Sequence, residues 1–463
     1  MSRVPASIVL IDGEHYPPVT ARAIARLCAA GENPVLALLV GGREKLGQRA
    51  LDVGIPVETA GGTRHGTADD AESALAAAIA RVGAARVFDL SDEPVLSNAR
   101  RCRLASVALW RGASYAGADF VFSPPHRPPV GYAPSVTVLG MGKRTGKTAV
   151  TGTAARVWRR TAGLRPVIVA MGRGGPEHPE VIEADADLSP AGLCDWVTHG
   201  RHAASDYVED ALFTGAPTVG TWRVGGGFAG ATFFSDYDRA LDRGRQLAPD
   251  LLVLESSGAA VPPAATDAGL LVLSAETDPA DLYGYFGLSR LLLADLVVLT
   301  MCEEATDPRR VSRLEECVRR SSALTSPDIV RTVFRPHPSG DISGKRVWFA
   351  TTAGPHAGPV LKRHLEEVHG AHVVGMSHAL ADRAQLRRDL RQAPPDVQVL
   401  ATELKAAAVD VVTRFGAEHG IETVYVDNRV VSTDGTDVDQ ALLALADRAR
   451  SRHAVRRAGG GPP

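Results

Sequence analysis

The chain has 463 residues, 51 of them Lys or Arg and 53 Asp or Glu, for a formal net charge of −2. With 45% hydrophobic and 22% charged residues, the composition is that of a globular protein and excludes a disordered one, and the near-neutral charge excludes a polycation with broad nucleic-acid affinity. At roughly 150 residues per domain the length predicts two or three domains, large enough to bury a core without disulfides or structural metals.

Short apolar strands alternate with Ala/Leu/Arg-rich helices along the chain. Ser7–Gly13 reads as a strand, a helix follows, and Pro34–Gly42 is the next strand. Ala71–Gly83 has helical spacing, Ala85–Asp92 reads as a strand, and a short apolar run near Asp119 closes an N-terminal α/β domain over 1–130. His126–Pro134, punctuated by Pro and Gly, reads as a linker. A second series, 131–340, opens with Ser135–Gly142 and continues through Pro166–Gly172, Asp250–Gly258, Gly269–Ala275 and Asp295–Cys302. Several of these runs are apolar throughout, as in parallel strands covered on both faces. A third series, 341–455, carries four more strand-like runs and reads either as a separate domain or as an extension of the central sheet. The basic stretch from Arg448 onward is expected to be frayed and solvated, with 456–463 a disordered tail.

Five cysteines (Cys28, Cys102, Cys194, Cys302, Cys317) form no CxxC, and Cys28, Cys194 and Cys302 lie in apolar runs. Isolated buried thiols are the expectation. No apolar stretch approaches the roughly 18 residues needed to span a bilayer, and the opening Met1-Ser-Arg-Val-Pro lacks a long apolar run. A cytoplasmic protein without membrane or nucleic-acid partners is expected. The histidines show no HExxH or HxH spacing, so no dedicated transition-metal site is expected.

The main chemical signal is Gly140-Met-Gly142-Lys143-Arg144-Thr145-Gly146-Lys147-Thr148, between an apolar strand and a helical pattern. Glycines let backbone N–H groups approach phosphate oxygens, and the following helix N-terminus favours negative charge. Lys147 would reach the β- and γ-phosphates of ATP, and Thr148 would ligate Mg²⁺. Met141 stands where the strict G-x4-G-K-[ST] motif needs its first glycine, so the loop counted from Gly140 is one residue longer. Such loops resemble those of the dethiobiotin synthetase class of P-loop proteins. Lys143 and Arg144 add cations beyond what a simple turn needs. Glu255, ending Leu251–Glu255, stands at the Walker B position and would help hold Mg²⁺. Arg173, in Met171–Glu177, is a candidate anion ligand, and Glu177 a candidate metal or acid/base group. Arg223, followed by Gly225, Gly226 and Gly227, suits a backbone nest for a second phosphate. Asp12, Glu14 and His15, then Asp89, Asp92 and Glu93, combine acid/base potential with an equal claim to capping and surface charge. Glu403, Lys405, Asp427, Asn428 and Arg429 lie at strand ends of the last series, with no mechanism attached.

Taken together, Ile11–Thr20, Gly41–Leu46, Gly140–Val150, Met171–Glu177, Arg223–Gly230 and Thr402–Val411 resemble the cyclic 2,3-diphosphoglycerate synthetase family. The resemblance implies a P-loop α/β core with a mostly parallel sheet behind a separate N-terminal α/β domain. It implies ATP-dependent closure of 2,3-diphosphoglycerate to its cyclic anhydride, with ADP and phosphate released. Two steps would serve: phosphoryl transfer to one substrate phosphate, then internal attack by the other. The substrate carries roughly five negative charges near neutral pH, and Lys143, Arg144, Arg173, Arg223 and Lys147 could meet them. The related class implies a homodimer. Two alternatives stand beside this: a P-loop kinase that phosphorylates a phosphoglycerate-like acid and stops, and an ATP-driven switch protein.

Overall fold

The computed structural model describes residues 4–42, 51–60, 68–304, 306–321 and 324–459. The Arg43–Leu46 part of the Gly41–Leu46 motif and the last four residues of the expected tail lie outside them. The N-terminal unit holds β1 (Ala6–Ile11), β2 (Asn33–Leu39), β3 (Val57–Thr59), β4 (Arg86–Asp89), β5 (Ser114–Ala116) and β6 (Val121–Phe122), ordered β3-β2-β1-β4-β5-β6. All pairs are parallel except β5–β6.

A 13-stranded sheet takes the rest of the chain. Its strands are β7 (Ser135–Gly140), β8 (Pro166–Gly172), β9 (Glu180–Ile182), β10 (Thr218–Val224), β11 (Phe234–Ser235), β12 (Leu251–Glu255), β13 (Ala268–Ser274), β14 (Leu296–Thr300), β15 (Asp328–Pro338), β16 (Arg346–Ala350), β17 (His372–Ser377), β18 (Val399–Glu403) and β19 (Glu422–Ser432). They run β11-β10-β8-β12-β7-β13-β14-β15-β19-β18-β16-β17, with β9 beside β10. β15 pairs parallel with β14 over its first residues, then antiparallel with β19 over Thr332–Pro338. The third series thus continues the sheet of the second.

Both faces of this sheet are covered, which is why its central strands are apolar without alternation. On one face Val136, Val138, Val253 and Leu270 pack with Val150 and Trp158 of helix Lys147–Arg160 and with Leu442 and Leu445 of helix Val438–Arg457. The Trp158 indole N–H donates to Leu442 O at 2.8 Å. On the other face Leu139, Leu271 and Leu299 share one cluster with Leu288 and Leu291 and with Leu104, Val107 and Leu109 of the N-terminal helix Asn98–Trp110. Each fully buried Leu of this kind contributes about 1.5–3 kcal/mol. The two units are therefore joined through a common apolar core. The Pro-rich connection between them is docked as well: Arg127 donates to Pro262 O and Ala264 O at 3.3 and 3.0 Å.

Two expectations are corrected. The basic stretch from Arg448 is not frayed: helix Val438–Arg457 runs through it. Arg452 grips Asp295 with two bonds of 2.8 and 2.9 Å, and Arg456 pairs with Asp267. Asp267, 3% exposed, also accepts from Ser135 N and Oγ at the start of β7. Cationic residues that look solvated in sequence here find carboxylates at strand starts, buried Asp267 and half-buried Asp295. Cys28 is exposed, although Cys302 and Cys317 are buried. Among the described residues no helix is long and apolar enough to cross a membrane.

Arg335 stands directly opposite Arg429 in the β15–β19 pair, and His337 opposite Asp427. The His337 ring lies 5.1 Å from that of His369, itself 5.5 Å from His364. Burial, then Arg429 and the neighbouring His369, Arg156 and His364, pull the His337 imidazole down to about 4. Unfolded histidine titrates near 6.5, so between these values the unfolded chain binds more protons. This stability is present above pH 6.5 and lost as pH falls toward 4. The denaturation midpoint is expected to fall over that window, with a shallower fall in His337→Gln; an identical slope in the variant would remove His337 from the account.

Candidate active site

The loop Gly140–Gly146 joins β7 to helix Lys147–Arg160. Gly146 holds φ 91°, in the left-handed region. A Cβ built there would overlap the Phe334 ring, so both the backbone turn and the packing demand glycine. Arg144 also takes a left-handed φ of 64° and is exposed, as is Lys143. The Lys147 ammonium folds back across the loop and donates to Gly142 O at 2.9 Å. A Cβ at Gly140 would lie 2.9 Å from Lys147 Cδ and 3.0 Å from Thr145 Oγ1. Thr300 Oγ1, at the end of β14, donates to Thr145 O at 2.9 Å and braces the loop from the other side.

Carboxylates form one wall. Thr148 Oγ1 donates to Glu255 Oε1 at 3.0 Å. Helix Asp206–Thr214 brings Asp210 against Glu255; each is 1% exposed. No N–H or hydroxyl of another residue reaches either Asp210 oxygen or Glu255 Oε2, and the two carboxyls are hydrogen-bonded to each other. Burial raises both carboxyls, and for Asp210 the neighbouring Glu255 charge raises it further. Glu209, next along the helix, is pushed by burial up to about 8 although Lys405 opposes the shift. Lys405 Nζ reaches Glu209 Oε1 at 3.2 Å from the end of β18. Burial works against its charge, but Glu209 and Glu403 outweigh it and hold the ammonium above its usual range. Burial lowers the Lys147 ammonium, with Glu255 and Asp206 opposing.

Cations gather at neighbouring strand ends. Arg223, 9% exposed, donates to Gly225 O and Ser257 O, both at 2.8 Å, while its Nε has no partner. A Cβ built at Gly258 would fall on the Arg173 guanidinium and lie 3.3 Å from Arg223 Nη2. Two arginines from different strand ends therefore meet over Gly258, and among the described residues no carboxylate pairs with either. Burial, then the Arg173 charge, pulls Arg223 below the usual guanidinium range. Gly225, Gly226 and Gly227 are exposed beside them. A cavity of about 220 Å³ runs between Gly172–Gly175 and the start of helix Asp206–Thr214, with Arg173, His202 and Asp206 in its lining.

The structure brings together the P-loop, Glu255, Arg173, Arg223 and the triple glycine. Glu177 is exposed and offers only its backbone oxygen, to the Trp222 indole. Asp12 and Asp89 end β1 and β4 in the other sheet. Asp12 accepts from Glu14 N, His15 N, the His15 ring and Asp92 N, and Asp89 from Ser91 N, Arg101 and Tyr115. Their charge pins local loops. Asp206, Glu209, Asp210 and Lys405 were not singled out as site groups by sequence reasoning. The signal available was three acids within five residues of a short helix otherwise buried by Tyr207, Val208 and Ala211.

Models of the cyclic 2,3-diphosphoglycerate synthetase N-terminal domain, P-loop domain and C-terminal domain match residues 6–123, 135–333 and 338–429. The chain belongs to the cyclic 2,3-diphosphoglycerate synthetase family. It is 44% identical over 444 residues to the cyclic 2,3-diphosphoglycerate synthetase of Rubrobacter xylanophilus, covering 95% of this chain and 97% of that protein. For the proteins of the same name from Thermococcus kodakarensis and Methanothermobacter thermautotrophicus the identities are 42% and 40%, with 96% and 97% of this chain and 100% and 97% of theirs covered. The hydrogenase maturation factor HypB from Archaeoglobus fulgidus aligns with 44% of this chain and 82% of its own at 14% identity, but its TM-score of 0.28 is too low to bear on fold or function. The family's P-loop domain is a nucleotide-binding fold, and here it carries its loop between β7 and helix Lys147–Arg160.

Gly146→Ala is expected to weaken nucleotide binding at least tenfold, since the left-handed backbone alone costs an L-residue about 1–2 kcal/mol and Phe334 leaves no room. Calorimetric titration with ADP checks this; wild-type affinity would mean that the loop relaxes freely.

Proposed function

We propose that the protein closes 2,3-diphosphoglycerate into its cyclic anhydride at the expense of ATP, releasing ADP and phosphate. The observation that carries this reading is the meeting of Arg173 and Arg223 over Gly258, among the described residues without a carboxylate partner. A nucleotide on the P-loop does not need this second cationic place. A substrate with two phosphates and a carboxylate does. Family membership and relatives matched over almost their whole length support the same activity.

The residues have distinct tasks. Gly140, Gly142, Thr145 and Gly146 present backbone N–H groups to the β- and γ-phosphates, and Lys147 leaves Gly142 O to join them. Thr148, Glu255 and Asp210 offer hard oxygen donors, three of them reached by no N–H or hydroxyl of another residue, and this set fits Mg²⁺. The ion would supply positive charge to the phosphate oxygens. Lys143 and Arg144, exposed at the loop tip, are placed to meet charge that the P-loop interior does not.

An oxygen of one substrate phosphate attacks the γ-phosphorus, and the bond to the ADP oxygen breaks. An oxygen of the other substrate phosphate then attacks the phosphorus of the first. The bond to the transferred phosphoryl group breaks and inorganic phosphate leaves. Neither nucleophile has to lose a proton if both phosphates are dianionic. The task is positioning and charge stabilisation, which Arg173, Arg223 and the Gly225 and Gly226 amides are arranged to supply, the Gly227 amide being spent on Ala231 O. We further propose a cytoplasmic homodimer, for which sedimentation velocity is the test.

Phosphorus NMR of the protein with Mg-ATP and 2,3-diphosphoglycerate should show both phosphomonoester signals replaced by a coupled pyrophosphate pair, with ADP and free phosphate. A stable linear product without free phosphate would instead mean a kinase, and unchanged diphosphoglycerate would reject the substrate. Arg173→Ala should raise KM for diphosphoglycerate roughly 10- to 100-fold, as expected for losing a charge-assisted hydrogen bond of about 1.5–3 kcal/mol, with KM for ATP little changed.

A further inference from the structure

We propose that Arg290 is the positioning residue of the acceptor-phosphate cradle, and that through it the N-terminal unit sets the affinity for the diphosphorylated substrate. The inference rests on the reading of Arg173 and Arg223 given above.

Arg290 lies in the short helix Leu288–Leu291 and is 6% exposed. Its Nε donates to Ala259 O at 2.7 Å, and its Nη1 to Phe286 O at 3.0 Å and Phe228 O at 3.3 Å. Ala259 follows Gly258, over which the two arginines meet. Phe228 follows the triple glycine. One guanidinium therefore bridges the two strips of backbone that form the cradle. Val261 N donates to Gly230 O at 2.7 Å between the same strips, and Arg223 reaches Gly225 O and Ser257 O. A loop of three consecutive glycines has high conformational entropy when free, so these ties decide whether its amides face one point.

Among the described residues no carboxylate pairs with Arg290. Its three acceptors are neutral carbonyls, which take three of its five N–H groups and do not cancel the charge. Burial pulls the guanidinium down to about 10, which leaves it charged at neutral pH. A buried, uncompensated cation is costly, and a polyanion bound in the adjoining cradle would offset that cost.

The link to the N-terminal unit is direct. Leu288 and Leu291, flanking Arg290, share an apolar cluster with Leu104, Val107 and Leu109. Phe122, from β6, stacks edge-on at 4.8 Å with Phe286 and 6.0 Å with Phe228, and Phe286 lies 5.7 Å from Phe228. The N-terminal unit thus buttresses both the helix that carries Arg290 and the backbone that Arg290 holds.

The test compares the full-length wild type with Arg290→Met and Arg290→Lys. Arg290→Met should raise KM for diphosphoglycerate at least tenfold while KM for ATP stays within about twofold, and Arg290→Lys, which keeps the charge and its donors on a single nitrogen, should recover part of that loss. An unchanged KM with only a lowered melting temperature would reduce Arg290 to a structural role and overturn the proposal. Should Arg290→Met fail to fold, Phe122→Ala probes the same path; it should raise KM for diphosphoglycerate severalfold, and an unchanged KM would break the link to the N-terminal unit. Calorimetric binding of pyrophosphate to the ADP-saturated protein separates this inference from the assigned reaction. If the wild type does not turn over diphosphoglycerate yet binds pyrophosphate more tightly than Arg290→Met, the substrate assignment fails and the positioning role stands. Equal pyrophosphate affinity in the two proteins would overturn the positioning role.

Discussion

Charge left without an opposite partner organises this molecule. Arg223 and Arg290 are buried and bonded to carbonyl oxygens rather than carboxylates. Asp210 and Glu255 are buried against each other beside the P-loop, both carboxyls raised by burial. Either set alone costs stability, because the low-dielectric interior does not repay the lost hydration. A polyanion on the cationic wall and a divalent cation on the acidic wall would satisfy both.

The sheet explains how such a site is maintained. Phosphate-binding loops form at the carboxyl edge of parallel strands, where helices start and backbone N–H groups point outward. Here that edge gathers Gly140 from β7, Glu255 from β12, Gly172 from β8 and Arg223 from β10. Helix Asp206–Thr214 lays Asp210 across it, and the third series sends Lys405 in from β18 to hold Glu209. Because β15 joins the third series to the same sheet, Lys405 is positioned by a rigid support. The apolar core shared with the N-terminal unit does the same for the glycine loop. The charge strain of the site is thus carried by packing far larger than the site itself.

Much of this was legible in the sequence. The central strands were readable because burial on both faces leaves uninterrupted apolar runs, and the phosphate loop because its strand–loop–helix context is local. Arg173, Arg223 and the triple glycine could be singled out as cations beside glycines, but not that they meet over Gly258, which depends on the order of β10, β8 and β12. Asp210 was hidden because acids on helices usually face water, and Lys405, visible at a strand end, carried no mechanism. Only the packing of helix Asp206–Thr214 on the sheet buries Asp210 and brings Glu209 to the half-buried Lys405. Arg290 was hidden because its acceptors, Ala259 O, Phe286 O and Phe228 O, come together only in the folded chain. The stretch from Arg448 misled in the opposite direction, since its partners Asp295 and Asp267 lie far away in the chain.

The most direct test of this account is a crystal structure of the protein with ADP and 2,3-diphosphoglycerate. The account predicts ADP on the Gly140–Thr148 loop and one substrate phosphate between Arg173 and Arg223, over Gly258 and against the Gly225 and Gly226 amides. A substrate bound elsewhere, with both arginines still free of phosphate, would contradict it.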